Sequence, residues 1–463
     1  MISPNLKENI DIPLYRQLYN FIRKEIRNNN LKYKDRLPSK RNLANHLNVS
    51  INTVTKAYEM LLDEGYIYSE QRIGYYISNI ENLLKIEKDE IRPERFDINK
   101  KYKYNFKINN IDNSVFPFYT FKKISGKIIS GNHIELLQER NPQGLFELRK
   151  SIKNYIYNAR GVKTEERNII VSSGIEYLLQ ILFYILPEKS KFAVENPGYK
   201  VQSEMFKINN IPFEKVNVDS SGMIYSQMEK SDANIVFLTP SHQFPTGAVM
   251  PINRRVKFLN WAEKNDLNYI IEDDYDSEFR YKNKPIPALK SLDIQDNVIY
   301  MGNFSKSISP VLRISYMVLP EKLLKNYFEI MPFINCPVSN AVQLSLSKFI
   351  DEGYFERHLN KMRNIYSKKR EIAINMFKDE KYMNVIDSNA GMHFIIEINS
   401  KKDEQIIINR LKEKSIFVQG LSEYYYGKDI NKKVRIIIGY GGIENNLLKE
   451  GLRILIDTIN SLI

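Results

Sequence analysis

From residue 104 onward, short apolar runs alternate with stretches of helical apolar period, and this alternation restricts the architecture more than any other feature. The runs lie at 168–171, 192–195, 235–238, 269–272, 298–301 and 314–319. Each is too short for an ordinary helix, and apolar residues spaced three and four apart follow in the intervals. That order calls for an α/β fold with a mainly parallel sheet and helices on its faces. At 463 residues the chain exceeds one domain, and 43% apolar content is ample for several cores.

Two of the strand ends carry chemistry. The run at 269–272 ends in Glu272-Asp273-Asp274-Tyr275-Asp276, and the run at 298–301 leads into Gly302-Asn303-Phe304-Ser305-Lys306-Ser307. A lysine and an aspartate at the ends of neighbouring strands are what pyridoxal phosphate needs. The lysine amine forms a Schiff base with the aldehyde, and the carboxylate pairs with the protonated pyridine nitrogen. Alone, Lys306 reads as a solvated surface lysine and Asp273 as a helix cap. Their surroundings favour the cofactor. Ser305 and Arg313 offer a hydroxyl and a forked guanidinium for a phosphate. Ser173, Gly174 and Ile175 follow a strand and open a helical run, so their backbone N–H groups form an anion cradle. Tyr275 can bond the cofactor's phenolic oxygen. Tyr199 either stacks on the pyridine face or simply packs.

The other end of the chain has a different character. Residues 13–26 carry an apolar stripe opened by Pro13. Ser39 caps a second helix with Leu43, Ala44 and Leu47 inward. Asn48-Val49-Ser50 turns the chain, and Ser50 caps a third helix that buries Val54, Ala57, Tyr58, Leu61 and Leu62. Arg41, Ser50, Asn52, Thr53 and Lys56 are left outward, as phosphate and base-edge contact requires. Residues 64–68 and 74–78 read as a two-stranded wing with Gly74 at its turn. Residues 79–103 are charged, lack glycine and have no sustained apolar period, so they read as a linker.

Composition removes other classes. The longest near-continuous apolar run, 178–186, is broken by Gln180, so no membrane span is expected. No basic stretch followed by an apolar one opens the chain, so a cytoplasmic location is expected. The lone Cys336 excludes an intrachain disulfide and a cysteine-rich metal site, and no metal is expected. The net charge of +13 permits nucleic-acid binding, yet residues 1–80 hold 12 Lys and Arg against 8 Asp and Glu, so the excess is spread along the chain.

Residues 11–78 resemble the winged helix-turn-helix of GntR-type regulators, on Leu37-Pro38-Ser39-Lys40-Arg41, Val49-Ser50-Ile51-Asn52-Thr53-Val54 and Glu64-Gly65-Tyr66. Ile51 stands where that family usually has arginine. The rest of the chain resembles fold-type I aminotransferases, on 141–149, 239–247, 272–281 and 303–307. The pair resembles MocR-type regulators, which join the two. The resemblance implies three segments: 1–78 binding DNA, 79–103 linking, and 104–463 binding pyridoxal phosphate. It further implies a homodimer on paired DNA half-sites and no membrane partner. It places Asn303 where a small hydroxyl residue is frequent near the cofactor. It makes Arg435, in Val434-Arg435-Ile436-Ile437-Ile438-Gly439, the anchor for an effector's carboxylate. The signal is then an amino acid or amine, or pyridoxal phosphate itself. His242-Gln243-Phe244-Pro245-Thr246-Gly247 stands where catalytic relatives carry Asn-Pro-Thr-Gly, which suits a regulator better than an optimised transaminase, with half-transamination the residual chemistry. The competing reading is an active aminotransferase whose winged helix is vestigial or binds protein.

Overall fold

The computed structural model describes residue 4 and residues 12–70, 73–79, 102–108, 110–131, 136, 141–281, 287–386, 390–427 and 433–463. The chain divides into two compact units, Met1–Lys100 and Lys101–Ile463. Most of the expected linker, residues 80–101, lies outside the described residues. At its far end Tyr104 already pairs with Ile416 inside the larger unit. Among the described residues no helix is long and apolar enough to cross a membrane.

In the smaller unit, helices Leu14–Arg27, Lys40–Leu47 and Ile51–Asp63 share a core of Leu18, Ile22, Leu43, Val54, Tyr58 and Leu61. The two expected caps are present. Ser39 Oγ accepts from the Asn42 amide at 3.2 Å, and Ser50 Oγ from the Thr53 amide at 3.1 Å. Such a cap contributes about 1 kcal/mol to its helix. Asn48 turns the chain between them at φ +52°, a conformation asparagine tolerates well. The wing strands Ile67–Glu70 and Gly74–Ile77 pair antiparallel. A third strand, Arg36–Leu37, pairs with the outer side of Gly74–Ile77. Two residues are too few to show any period, so this strand has no sequence signature.

The larger unit is built on an eight-stranded sheet. Its order is Ile169–Ser172, Ser315–Val318, Val298–Asn303, Tyr269–Asp274, Ile235–Leu238, Phe192–Asn196, Phe213–Asp219 and Gly222–Met223. Six strands share one direction, while Ser315–Val318 and Gly222–Met223 oppose it. The reversal at 315–318 follows from its connection. Returning parallel takes a crossover of a dozen or more residues, usually a helix, and the segment after Asn303 holds only a 3-10 turn at Pro310–Leu312. Ile271, Ile299 and Met301 pack on one face against Leu178 and Leu182, and Ile270 and Val298 pack on the other against Phe258 and Trp261. A second sheet, all antiparallel, runs Met383–Ile386, His393–Ile398, Val434–Gly439 and Gln419–Gly420, covered by helix Asn445–Asn460.

Sheet register positions the chemistry. Asp273 lies opposite Met301 and Asp274 opposite Gly302. Lys306 therefore leaves its strand just beyond the point where the acidic strand ends. Crevices at the carboxyl ends of parallel strands are where open α/β sheets bind ligands.

Candidate cofactor site and nucleic-acid interface

A cavity of about 230 Å³ opens at these strand ends. Nine of the residues expected to hold the cofactor line it: Gly174, Ile175, Tyr199, Asp273, Tyr275, Asn303, Ser305, Lys306 and Arg313. Ser173 is half-buried and does not line it. Glu176, Thr239, Phe244, Pro310 and Ser315 complete the wall.

Lys306 is half-buried, and its Nζ donates to the Ile108 carbonyl at 3.1 Å. Desolvation lowers its amine to about 8, partly offset by Asp276. A larger share of the amine is therefore neutral and nucleophilic near neutral pH than for an exposed lysine. Asp273 is only 8% exposed, and its Oδ1 has no hydrogen-bond partner among the described residues. Burial, then Asp274, Asp276, Glu195 and Glu272, pushes its carboxyl well above the usual range. A buried carboxyl oxygen without a donor is costly to keep, and a protonated ring nitrogen supplies both the donor and the opposing charge. The residues present thus fit the pyridine end of the cofactor.

The phosphate end fits as well. Gly174, at φ +95°, precedes helix Ile175–Ile185, whose first amides point at the cavity end. A Cβ there would lie 2.4 Å from Arg313 Nη2, so glycine is required for the guanidinium to come this close. Arg313 itself sits at φ +48°, where a non-glycine residue is strained. Ser305 is held by its amide, which donates to Asn303 Oδ1 at 3.0 Å.

Aromatic rings close the remaining side. Phe244 meets Tyr199 edge-on at 5.6 Å, and Tyr275 and Tyr424 edge-on at 5.6 and 5.3 Å. It offers no hydrogen bond at the position where the resemblance puts asparagine. The Tyr275 hydroxyl lies 2.9 Å from His242 Nδ1, which also meets Asp276 at 3.0 Å. Behind the wall, Glu195 accepts from the Thr239 amide at 3.1 Å, and burial raises its carboxyl to about 7. Nothing in the sequence gives Glu195, His242 or Asp276 a role. Only the fold shows that they surround Asp273 and Tyr275.

Arg435 is a correction. It does not line this cavity. It stands directly opposite Glu397 across an antiparallel pair, and its Nε and Nη2 donate to Glu397 Oε2 at 2.9 and 2.8 Å. It borders a separate cavity with Thr246, Gly247 and Tyr425. Further along the same strand, Ile437 packs with Phe244, Ile395 and Tyr424 in an apolar cluster that includes part of Tyr199 and Tyr275. The residue nearer the site is thus an isoleucine.

In the smaller unit, Arg41, Ser50, Asn52 and Lys56 are exposed and Thr53 is half-buried. The Ser50 and Thr53 hydroxyls lie 2.9 Å apart, so both also serve the helix cap. Lys56 Nζ sits 5.5 Å from the Tyr15 ring centre. Ile51 is 47% exposed among these polar residues. Gly74 takes φ +146° at the start of its strand, and a Cβ there would crowd Arg36 Nε at 3.2 Å. The Arg36 guanidinium bonds the Ile73 carbonyl and ties the wing to the small strand.

Two family models match the chain: "Aminotransferase class I and II" over residues 105–452, and "Bacterial regulatory proteins, gntR family" over residues 14–77. The HTH-type transcriptional regulator YdeL of Bacillus subtilis, itself uncharacterized, is 35% identical over 98% of both chains. The probable rhizopine catabolism regulatory protein MocR of Rhizobium meliloti is 27% identical, covering 97% of this chain and 94% of that one. Among solved structures, a multiple substrate aminotransferase from Thermococcus profundus superposes with a TM-score of 0.70 at 21% identity, over 83% of this chain and 98% of its own.

Proposed function

The chain belongs to the class I and II aminotransferase family and carries a gntR-family domain ahead of it, the architecture of a MocR-type transcription regulator, and from this we propose that it binds operator DNA through residues 13–78 in response to pyridoxal phosphate held at Lys306. The observation that carries the reading is the buried, unpartnered Oδ1 of Asp273 on the cavity that Lys306 also lines. When bound, pyridoxal phosphate supplies an aldehyde and an electron-withdrawing ring. Lys306 provides the amine that bonds the aldehyde. Asp273 holds the ring nitrogen's proton. The Gly174 and Ile175 amides, Ser305 and Arg313 would hold the phosphate, Tyr275 would bond the phenolic oxygen and Tyr199 would stack on the ring. Phe244 excludes water without donating a hydrogen bond.

The wall composition bears on the signal. Lys306 and Arg313 are the only cations among the described lining residues, and cofactor binding uses both. Among the described lining residues no third cation remains to pair with an effector carboxylate. This favours the cofactor itself, or an amine without a carboxylate, over an amino acid. A regulator named for pyridoxine biosynthesis, PdxR of Corynebacterium glutamicum, is 27% identical over 99% of this chain. The same reading makes the protein a cytoplasmic homodimer, whose paired recognition helices suit paired half-sites.

Borohydride reduction of the protein mixed with pyridoxal phosphate, followed by peptide mass spectrometry, tests the site. A stable adduct on Lys306 is expected. An adduct confined to another lysine contradicts the assignment. The competing reading, a working aminotransferase, requires many turnovers with an amino donor and a keto acceptor, and Phe244 argues against it.

A further inference from the structure

The phosphate end of the cavity already contains an anion. Arg313 Nη2 donates to Glu176 Oε2 at 2.9 Å, and both residues line the cavity. Glu176 is in the first turn of helix Ile175–Ile185, where free amides and the helix dipole favour negative charge. Gly174 is closely flanked by both partners, since a Cβ there would lie 2.4 Å from Arg313 Nη2 and 2.6 Å from Glu176 Oε2. A guanidinium, a carboxylate and the helix amides thus meet at one point. Arg313, which would hold a phosphate, is holding a side chain. The pair is half open to water, with side-chain exposures of 50% for Arg313 and 32% for Glu176, so exchange needs no core rearrangement.

We propose that Glu176 is a built-in competitor for the phosphate site, so that phosphorylated ligands bind only by taking Arg313 from it. This rests on the reading that pyridoxal phosphate is the ligand at Lys306. The consequence is a site whose affinity is set below what its arginine and helix allow. That suits a chain that must release its ligand when supply falls, whereas an enzyme gains by retaining its cofactor. The effect is selective. Pyridoxal, which has the ring and aldehyde but no phosphate, does not have to displace the carboxylate.

The test is equilibrium binding of pyridoxal phosphate and of pyridoxal to the full chain, comparing wild type with Glu176→Gln, Glu176→Asp and Arg313→Gln. Glu176→Gln removes the charge and keeps the shape. It is expected to tighten pyridoxal phosphate by about two- to fivefold, the worth of the half-exposed ion pair that the phosphate otherwise has to break. Pyridoxal affinity should stay unchanged, and Glu176→Asp should fall between wild type and the glutamine variant. In the Arg313→Gln background the gain should disappear, and the inhibition constant of inorganic phosphate should be lower in Glu176→Gln than in wild type. Unchanged or weaker pyridoxal phosphate binding by Glu176→Gln, with wild type still forming its Lys306 adduct, overturns this inference alone. Equal tightening of both ligands does the same. Wild type that takes up neither ligand and forms no adduct overturns the underlying reading and this one together.

Discussion

Asp273 is unfavourable without a ligand, and Lys306 beside it carries a desolvated amine. Asp273 holds a carboxyl oxygen away from water with no donor among the described residues, beside four other acids. Replacing it by alanine should weaken pyridoxal phosphate binding by at least about tenfold, as loss of a charge-assisted hydrogen bond implies. Dialysis against the cofactor reads this directly. Lys306 sets a pH dependence. With its amine near 8, the reactive neutral form grows as pH rises from 6, is half formed near 8 and levels off about a unit higher. The initial rate of borohydride-trapped adduct formation should follow that curve, and a midpoint near that of an exposed lysine would contradict the desolvated setting.

Glu195 gives a stability test. Its folded carboxyl titrates near 7, above the ordinary 4.5, because of burial. A raised acid favours the folded state below about 4.5, and this contribution is lost as pH rises toward 7. Glu195→Gln has no such loss. Its melting temperature relative to wild type, measured without cofactor, should therefore rise between pH 5 and pH 8. The change corresponds to as much as about 3 kcal/mol. A difference constant with pH would contradict the placement of this carboxyl.

At the level of elements, the sequence carried the strands well and their partners poorly. The apolar runs ending in acids and in Ser305-Lys306 emerge as adjacent parallel strands, as runs too short for an ordinary helix and buried on both faces do in such sheets. The direction of Ser315–Val318 was not legible, since a run of apolar residues looks alike in either orientation. Arg435 shows the same limit at finer scale. A motif placed the arginine on the correct strand, yet its position along that strand and its cross-strand partner Glu397 decide where the guanidinium goes. Arg435→Ala should cost about 0.2–1 kcal/mol of stability, as for a partly exposed cross-strand pair, and leave ligand binding unchanged. A large loss of ligand affinity would restore it to the site. Glu176 was in plain view beside Ile175, but an acid in the first turn of a helix reads as an ordinary dipole partner until Arg313 is seen against it.

The recognition helix Ile51–Asp63 allows its own test. Lys56 is exposed beside Asn52 and Thr53. Lys56→Ala should weaken binding to all duplexes alike and reduce the log–log salt slope by about 0.9, one phosphate contact. Unchanged slope and affinity would move the interface elsewhere.

For the whole molecule, the central claim is that occupancy of the Lys306 cavity changes how residues 13–78 engage DNA. A ligand can do this only if it favours one state of the protein over another. The most direct measurement uses a duplex enriched from random sequence by the full chain. Its affinity is then titrated with and without saturating pyridoxal phosphate, for wild type, Lys306→Ala and Asp273→Ala. Wild type should shift by about fivefold or more, the lower range of allosteric couplings, while both variants bind the duplex without responding. Wild-type affinity that is the same with and without the cofactor, beside rapid multi-turnover amine transfer, would contradict the account and make the chain an enzyme.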